Sequence, residues 1–491
     1  MKRFFVIVFF YLGCFSVLSG QDTLRLSLDD AIRLGSQHSV DAVVAKNQYV
    51  SSYWGYRTYK TELLPEMVLS GTTPYYSKSY NSRQNDDGSY GYVPNNYNRI
   101  DGGLSISQNI PWTGGKLTLE SSMERLHQYG DKSSTRYKTI PGAITLEQPL
   151  FGFRRVRWLQ QIEPVKYQEA RQKLISDREE VTLTVIEYYF NLLIGQINLE
   201  IAEQNQANAQ RLYTVAEARR RIGQMSEVEL QQMKTSLLNA ESSLMDVRTS
   251  LDSRMFQLRS YLGLGEDLII EPEIPAFLAD EIPQLHYSEV LELALENNSF
   301  TQNIQRRMLE AARDVSQAKA DRWNITLFAS FGMSGQEDTF QQAFSNHNWR
   351  GDQTINVGIR IPILDWGKGK GKVRVAEANR EVVSSRIEKE KMDFNQNIFL
   401  RVKYFNNQPQ QLKLAKEMDE IAQARYNTTV EAFVQDKMDI LNLNDSQSSK
   451  DTARRNYIEQ IFLLWSYYYQ IRSLTLYDFI LDRPLETEYP V

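Results

Sequence analysis

The residues of this chain that could do chemistry are few and scattered. Its four histidines, His38, His127, His286 and His347, fit neither HExxH nor any other metal-ligand spacing. There is no GxSxG nucleophile elbow. The run GKGKGK at 367–372 matches neither GxxxxGK(S/T) nor GxGxxG, the two phosphate-binding patterns. The sequence therefore predicts no catalytic, cofactor-binding or metal-ligating residue, and an enzyme is not the expected class.

Carboxylates near two predicted helical turns are the residues singled out instead. Asp436, Asp439 and Asn442 follow the second turn, and Glu227 and Glu229 follow the first. Three copies of one carboxylate converging on an axis would repel each other and attract cations. The alternative is that Asp439 faces solvent, as acidic residues on polar helices usually do. The residues alone leave both interpretations open.

The N-terminus has the layout of a secretory signal peptide. Lys2 and Arg3 precede an apolar run that ends in small residues, which predicts a signal peptide at 1–20 with cleavage before Gln21. An uncleaved membrane anchor is the alternative, although the run is short for a span of about 20 residues. The only cysteine, Cys14, lies inside this segment, so the mature chain would have no thiolate or disulfide chemistry.

Composition narrows the class of protein. The formal net charge of −5 over 491 residues indicates no general affinity for nucleic acid. After residue 20 no apolar stretch approaches the length of a transmembrane helix. An exported chain of this kind is periplasmic, extracellular or held in the outer membrane as a β-barrel. Mean hydropathy does not separate these classes, because the residues of barrel strands alternate in polarity.

The chain is predicted to contain two copies of one plan. The segment LDDAIRLGSQHS at 28–39 is similar to 287–298, at an offset of 259 residues. Three more landmarks follow in the same order: 63–71 with 322–330, 148–155 with 361–368, and 223–231 with 433–441. The first copy is expected at 21–264 and the second at 285–480, with an acidic linker at 265–284 and a tail at 481–491.

Each copy is predicted to hold a long helical hairpin, at 154–262 and 367–478. The longer arm has about 69 residues in the first copy, which corresponds to roughly 100 Å. Polar helices with narrow apolar stripes are typical of coiled coils, so a soluble scaffold is an alternative on the helices alone. Pro164 and Pro409 should each mark a kink or break, and the run 406–409 is a candidate interruption.

Segments with period-two alternation indicate strands at about 65–150 and 324–363. In one of them Val357 and Ile359 alternate with Arg360, which predicts one apolar and one polar face. A soluble sheet would also show this pattern. Long polar loops are expected at 74–100, 127–140 and 334–352, opposite short junctions marked by proline and glycine. Long loops on one side and short turns on the other are typical of an outer-membrane barrel.

At this point the sequence resembles the TolC family of outer-membrane efflux proteins. The resemblance rests on the duplicated LDDAIRLGSQHS, on TELLPEM at 61–67, on IPILDWGKGKGKVRVAEANR at 361–380 and on YYYQIRSLTLYDF at 467–479. It covers nearly the whole mature chain. It departs at Asn324, where the family often has proline, and at the second helical turn, which has no glycine. An apparent extra hairpin around 113–115 leaves the strand count open.

The resemblance implies an α+β membrane protein and a homotrimer. About four strands per protomer would form a shared outer-membrane β-barrel, continued by a long periplasmic α-helical coiled-coil barrel. The expected function is an outer-membrane channel for efflux, with a protein-secretion channel or a periplasmic coiled-coil scaffold as alternatives. Expected partners are a periplasmic adaptor, an inner-membrane pump and outer-membrane lipid.

The resemblance also assigns roles to positions of this sequence. Residues expected at the periplasmic entrance are Asp439, Asn442, Asp436 and Glu229. Residues expected in the adaptor-docking turns are Gly223, Ser226, Phe433 and Gln435. Residues expected at strand-to-helix junctions are Pro149, Pro362 and Gly367.

Overall fold

The structure is a computed structural model that describes residues 23–130, 133–150, 152–275, 283–322, 324–345, 349–360, 364–435 and 437–486. The helices are α1 (Leu28–His38), α2 (Val40–Thr61), α3 (Arg155–Arg221), α4 (Glu227–Leu262), α5 (Tyr287–Asn297), α6 (Ser299–Ala320), α7 (Phe340–Ser345), α8 (Lys368–Val434) and α9 (Ile440–Thr475). The strands are β1 (Thr23–Leu26), β2 (Glu66–Gln84), β3 (Tyr90–Asn109), β4 (Lys116–Tyr129), β5 (Ser134–Pro149), β6 (Ile269–Pro272), β7 (Asn324–Glu337), β8 (Arg350–Arg360), β9 (Tyr477–Asp478) and β10 (Arg483–Pro484). The predicted signal peptide, Pro362 and Asp436 lie outside the described residues.

Four pairs of helices have equal lengths. The helices α1 and α5 have 11 residues each, and α2 and α6 have 22 each. The helices α3 and α8 have 67 residues each, and α4 and α9 have 36 each. The chain divides into two compact units, one comprising 1–45, 175–290 and 398–485 and the other 46–174, 291–397 and 486–491.

The second unit contains one antiparallel sheet of six strands, in the order β2-β3-β4-β5-β7-β8. The expectation of about four strands is therefore wrong for the residues that the structure describes. The reason is the turn at 110–115, where Gly114 has a φ of 76° and lets β3 return as β4. Four strands of the sheet precede α3 and two precede α8.

Two of the three expected long loops are strands instead. The register of β2 and β3 runs unbroken from Tyr75–Arg99 to Gln84–Tyr90, and β4 and β5 remain paired up to Gln128–Ser134. Polar, tyrosine-rich sequence suggested loops there, but main-chain hydrogen bonds to a neighbouring strand do not require apolar side chains. The third segment, 334–352, contains the end of β7, α7 and the start of β8.

Neither proline breaks its long helix, so the expected break is wrong, whereas the expected kink stays a prediction. The helix α3 continues through Pro164, and α8 continues through Pro409. One proline removes one backbone donor, and side chains beside Pro409 add compensating hydrogen bonds. Gln408 is buried and donates to α9, and the amide of Asn406 exchanges hydrogen bonds of 3.0 and 2.9 Å with the backbone of Leu285.

The first unit joins the chain start to the predicted linker. The strand β1 pairs in parallel with β6, which lies inside the stretch 265–284. The buried hydroxyl of Tyr189 lies 2.9 Å from the carbonyl oxygen of Leu26 and 2.6 Å from that of Glu273. Close packing occurs beside them, because a Cβ on Gly35 of α1 would lie 2.3 Å from Cγ2 of Val185 on α3.

A buried ion-pair network holds the end of α9 in the same unit. Arg472 donates two hydrogen bonds to Glu179 of α3, at 2.9 and 3.0 Å, and one to Asp478 of β9 at 3.1 Å. The hydroxyl of Tyr468 donates to Asp478 at 2.5 Å. Burial raises the pKa of Glu179, while the charge of Arg472 and its hydrogen bonds oppose that rise. The network makes α3, α9 and the C-terminal strands mutually dependent.

Candidate functional site

The first helical turn joins α3 to α4 through two standard caps. The N–H of Gly223 donates to the carbonyl of Arg220 at 3.1 Å, and that of Gln224 donates to the carbonyl of Arg219 at 2.9 Å. This is a Schellman motif, and Gly223 has the φ of 78° that the motif requires. The turn is therefore fixed by local backbone geometry.

Ser226 and Glu229 form a capping box at the start of α4. The Ser226 hydroxyl accepts from the N–H of Glu229 at 3.2 Å, and a carboxylate oxygen of Glu229 accepts from the N–H of Ser226 at 2.8 Å. The hydrogen bonds from the backbone and then the side chain of Ser226 hold the pKa of Glu229 below its usual value. The exposed carboxylate thus has a local structural role.

The second turn joins α8 to α9 with a different cap. The N–H of Lys437 donates to the carbonyl of Ala432 at 2.9 Å. This bond joins residues five positions apart, as does the bond from Gln224 to Arg219 in the first turn. Asp439 is the N-cap of α9, and its Oδ1 accepts from the backbone N–H of Asn442 at 2.9 Å and from its side-chain amide at 2.8 Å. Gln435 is exposed in this turn.

The helix ends correct the sequence match between the two turns. Ser226 and Asp439 each stand directly before the second helix of their hairpin, so Ser226 matches Asp439, and Glu229 matches Asn442. The sequence had matched Ser226 with Asp436, three residues earlier. That match came from the repeat landmark 223–231 with 433–441, whereas the position of a cap is set by the helix that it begins.

The structure brings Asp439 together with Asn442, and Ser226 with Glu229. Among the described residues no hydrogen bond or ion pair joins these two groups to each other. The expected entrance role of these residues stays a prediction. Their observed role is to begin α4 and α9.

Phe433 is not available for docking, contrary to expectation. Its side chain is 5% exposed and packs in an apolar cluster with Tyr426 and Leu443. The guanidinium of Arg219 lies 5.9 Å from the centre of the Phe433 ring. Because a phenylalanine at the end of a long helix looks the same in sequence whether it packs inward or outward, the sequence did not reveal this contact.

Other apolar residues at the turns are exposed instead, among them Ile222, Val228 and Leu441. Ile222 follows the end of α3, and Val228 and Leu441 lie in the first turns of α4 and α9. In the sequence, each of these residues directly precedes a residue of a cap: Gly223, Glu229 or Asn442. The exposed apolar residues offer an apolar contact surface that the sequence analysis did not identify.

A polar cavity of about 370 Å³ lies among α3, α4 and α9 in the same unit. At its edge Lys450 and Asp451 are buried, and their charged atoms lie 3.1 Å apart. The amide of Asn205 donates to Asp451 at 2.6 Å, and the Lys450 ammonium lies 4.7 Å from the centre of the Tyr426 ring. Sequence patterns do not reveal this group, because Asn205 and Tyr426 are far in the chain from Lys450 and Asp451.

The strand-to-helix junctions lie in the second unit. Pro149 ends β5 opposite Thr326, and the side chain of Gln148 donates to the carbonyls of Thr113 and Pro149 at 3.0 and 2.9 Å. At the second junction Gly367 has a φ of 83°. The carboxylate of Asp365 there accepts from the N–H groups of Gly369 at 2.7 Å and Gly367 at 2.9 Å, and these two bonds hold its pKa below the usual value.

The sheet has one apolar and one polar face. The register places Leu69 opposite Leu104 and Ile106 opposite Leu119, so these side chains share a face. Ile144 and Phe331 continue that face across β5 and β7. It is solvent-exposed in the single chain: Leu69 is 81% exposed and Phe331 56%.

The opposite face of the sheet is mostly polar. Its residues on β3 and β4 include Ser105, Ser107, Thr118 and Glu120, which the register pairs across the two strands. The register also pairs Val357 with Leu327 of β7, but the faces predicted for the side chains of Val357, Ile359 and Arg360 stay predictions.

Comparison with known proteins finds similarity to one family. The family model described as outer membrane efflux protein matches residues 55–264. The cobalt-zinc-cadmium resistance protein CzcC of Cupriavidus metallidurans is 23% identical over 362 residues, which are 73% of this chain and 79% of that protein. The chain is therefore similar to the outer membrane efflux protein family over residues 55–264.

Other relatives agree with this family. The pyoverdine export outer membrane protein OpmQ of Pseudomonas putida is 26% identical over 211 residues, which are 42% of this chain and only 43% of that protein. The Campylobacter jejuni CmeC outer membrane channel has the same fold, with a TM-score of 0.67 and 14% identity over 94% of this chain and 87% of that one. VceC of Vibrio cholerae gives a TM-score of 0.63 and 15% identity, covering 94% and 97%.

The matched family model and the relatives OpmQ, CmeC and VceC are of outer-membrane proteins. Within the described ranges, no helix of the chain is long and apolar enough to cross a membrane. The same ranges contain no group of histidine, cysteine or acidic residues placed to hold a metal ion.

Proposed function

We propose that the chain is one protomer of a trimeric channel that conducts solutes passively from the periplasm to the exterior. The observation that carries this proposal is the exposed apolar face of a sheet whose other face is polar. Such a sheet suits a barrel wall with lipid on one side and water on the other. The sheet order ends at β2 and β8, so one protomer has two edges.

The unpaired edges of β2 and β8 explain why several protomers are needed to form a barrel in lipid. An unpaired backbone group in hydrocarbon costs several kcal/mol, so an open sheet does not persist there. Pairing of β2 of one copy with β8 of the next would close the barrel, with six strands from each protomer.

The test is the assembly state of the purified mature chain. We expect a trimer that requires detergent, measured by analytical ultracentrifugation with and without detergent. A monodisperse monomer without detergent would contradict the proposal and favour a periplasmic coiled-coil scaffold.

The exposed residues at the two turns would dock a periplasmic adaptor, which in turn contacts an inner-membrane pump. Apolar side chains next to fixed caps present a rigid surface of the kind that protein interfaces use. We expect Leu441→Asp to reduce cross-linking to the adaptor in cells at least fivefold, on the order of 1 kcal/mol. Ile421→Asp is the matched control, because Leu441 and Ile421 are both 69% exposed. Equal loss in both variants would contradict docking at the turns.

Asp439 is the proposed carboxylate of the entrance, with Asn442 beside it. Asp439→Asn keeps a good N-cap and removes only the charge. We expect lower cation selectivity and weaker block by multivalent cations in planar bilayers, with trimer assembly unchanged. Glu229→Gln is the control, because glutamine also completes a capping box. Unchanged selectivity and block in Asp439→Asn would remove Asp439 from the entrance.

A further inference from the structure

The apolar face of the sheet continues into a surface rich in tyrosine. On β3 every second residue from Ile106 to Tyr90 lies on this face. A β-bulge in β2 between Thr72 and Tyr75 keeps the later residues of β2 on it as well. The tyrosine surface is the part of this face beyond the apolar residues, formed by Tyr76, Tyr80, Tyr90, Tyr92 and Tyr129.

All five tyrosines are exposed, Tyr92 by 79%. The rings of Tyr76 and Tyr129 lie 6.0 Å apart, and His127 lies 4.6 Å from Tyr129 in an edge-on contact. Contiguous exposed aromatic surface of this kind marks an interaction site. The partner must contact flat, weakly polar rings that carry hydroxyl groups.

An interfacial aromatic girdle accounts for only part of the tyrosine surface. Girdle residues lie where the apolar band ends, and this position fits Tyr76 and Tyr129. From Tyr76 to the end of β2 at Gln84 the strand rises about 25 Å. A strand tilt of about 40° reduces this to about 20 Å above the girdle. Tyr80, Tyr90 and Tyr92 therefore extend beyond it.

The polar groups of the tyrosine surface suit a ligand with many hydroxyl groups. Asn98 lies opposite Tyr76, and Asn96 opposite Lys78. Among the described residues the side-chain oxygens of both asparagines are buried without a hydrogen-bond partner. Buried acceptors are out of reach of a ligand, so the hydroxyls of the exposed tyrosines are the groups that can pair with one. Tyrosine with asparagine and serine combines rigid contact area with adaptable hydrogen bonding.

Charge on the two faces of these strands is separated. Lys78 and Arg125 lie on the tyrosine face, and no carboxylate among the described residues pairs with either of them. Asp101 and Glu124 lie on the other face, where Arg99 pairs with both, at 3.5 and 4.0 Å. On β2, β3 and β4 the charged residues of the tyrosine face are therefore basic, and the nearest carboxylate on that face, Glu337, lies two strands from Arg125. This arrangement favours a ligand that also carries phosphate.

We propose that the tyrosine surface binds the phosphorylated saccharide headgroup of an outer-leaflet glycolipid. The rings contact the C–H faces of the sugars, the tyrosine hydroxyls pair with sugar hydroxyls, and Lys78 and Arg125 pair with phosphate. We expect the saccharide to belong to a lipid, because the tyrosine surface and the apolar residues lie on the same face of the sheet. The inference rests on the proposed function, in which that face contacts the membrane.

The test uses the full mature chain in phospholipid nanodiscs. One set contains complete lipopolysaccharide, and the other contains the same lipid truncated to its acylated, phosphorylated disaccharide. Binding is measured by native mass spectrometry at increasing glycolipid content. We expect a preference of about tenfold for the complete lipid, and its loss in Tyr80→Ala/Tyr92→Ala, because both rings contact the sugars that the truncated lipid lacks.

The matched control is Asn81→Ala/Val93→Ala, a directly opposed pair on the other face of the same hairpin. It should keep the preference. Absence of a preference in the wild type, or its persistence in the tyrosine variant, overturns the inference. Equal competition by free oligosaccharide overturns the assignment to a lipid. Channel conductance is recorded in the same samples: normal conductance without a preference rejects only this inference, whereas no wild-type conductance rejects the proposed function.

Discussion

The two copies of the repeat have helices of equal length but differ at the ends of those helices. The first turn uses Gly223 with a Ser226–Glu229 capping box, whereas the second uses Asp439 with Asn442. The first copy supplies four strands to the sheet and the second only two. The two copies therefore share their helix lengths but differ in caps, ion pairs and strand number.

The largest expected effect concerns two arginines at equivalent places in α9 and α4. Arg472 pairs with the buried Glu179, whereas Arg259 donates to the backbone carbonyls of Glu266 and Leu268. Arg472→Gln should lower the free energy of unfolding by about 3–5 kcal/mol, because it leaves a buried carboxylate without its partner. Arg259→Gln should cost about 1 kcal/mol. Urea unfolding in detergent measures the free energy of unfolding of both variants. Equal losses would contradict the expected difference between the two arginines.

The next effect tests the two faces of the sheet in the first copy, which supplies two more strands than the second. Leu119 lies on the apolar face and its neighbour Thr118 on the polar face. Leu119→Arg should destabilise the inserted barrel by about 2–4 kcal/mol if it lies near the bilayer midplane. Thr118→Arg should insert almost as well as wild type. The readout is the fraction of heat-resistant trimer in outer-membrane preparations, and equal insertion of the two variants would contradict the assigned faces.

A smaller effect comes from matching positions in α1 and α5. Gly35 packs against Val185 so closely that a Cβ would lie 2.3 Å away, whereas Ala294 is fully buried with its Cβ in place. Gly35→Ala should cost about 1–3 kcal/mol through overpacking. Gly55→Ala in α2 meets nothing within 4 Å and should be neutral or stabilising. Thermal unfolding compares them, and a stabilised Gly35→Ala would show that the contact is not tight.

The smallest effects lie in the caps. Ser226→Ala and Asp439→Ala should each cost about 1 kcal/mol, and Asp439→Asn almost nothing. The depressed pKa of Glu229 means that its contribution is present above the unfolded value of 4.5 and is lost as pH falls through the lower folded value. The difference between wild type and Glu229→Gln should therefore vanish in acid. A difference that grows on acidification would reverse the sign of this linkage.

The sequence predicted features that depend on neighbouring residues. The strand region predicted at about 324–363 begins with β7, and Pro149, expected at a strand-to-helix junction, ends β5. It did not predict the Arg472–Glu179 pair, whose members are 293 residues apart. It also took the tyrosine-rich stretch 74–100 for a loop, because strand pairing there depends on a neighbouring strand rather than on apolar side chains.

The candidate site shows the same division. The acidic residues near the turns were found from composition and spacing, but their roles as caps depend on where each helix begins. The burial of Phe433 depends on Tyr426 and Leu443, which no local pattern connects to it.

Single-channel recording of the purified wild-type trimer in planar bilayers tests the central claim most directly. A passive channel predicts discrete conductance steps that need no nucleotide or other energy source, with a preference for cations if Asp439 lines the entrance. A correctly folded trimer that inserts without any conductance step, at all voltages and salt concentrations tried, would contradict the account.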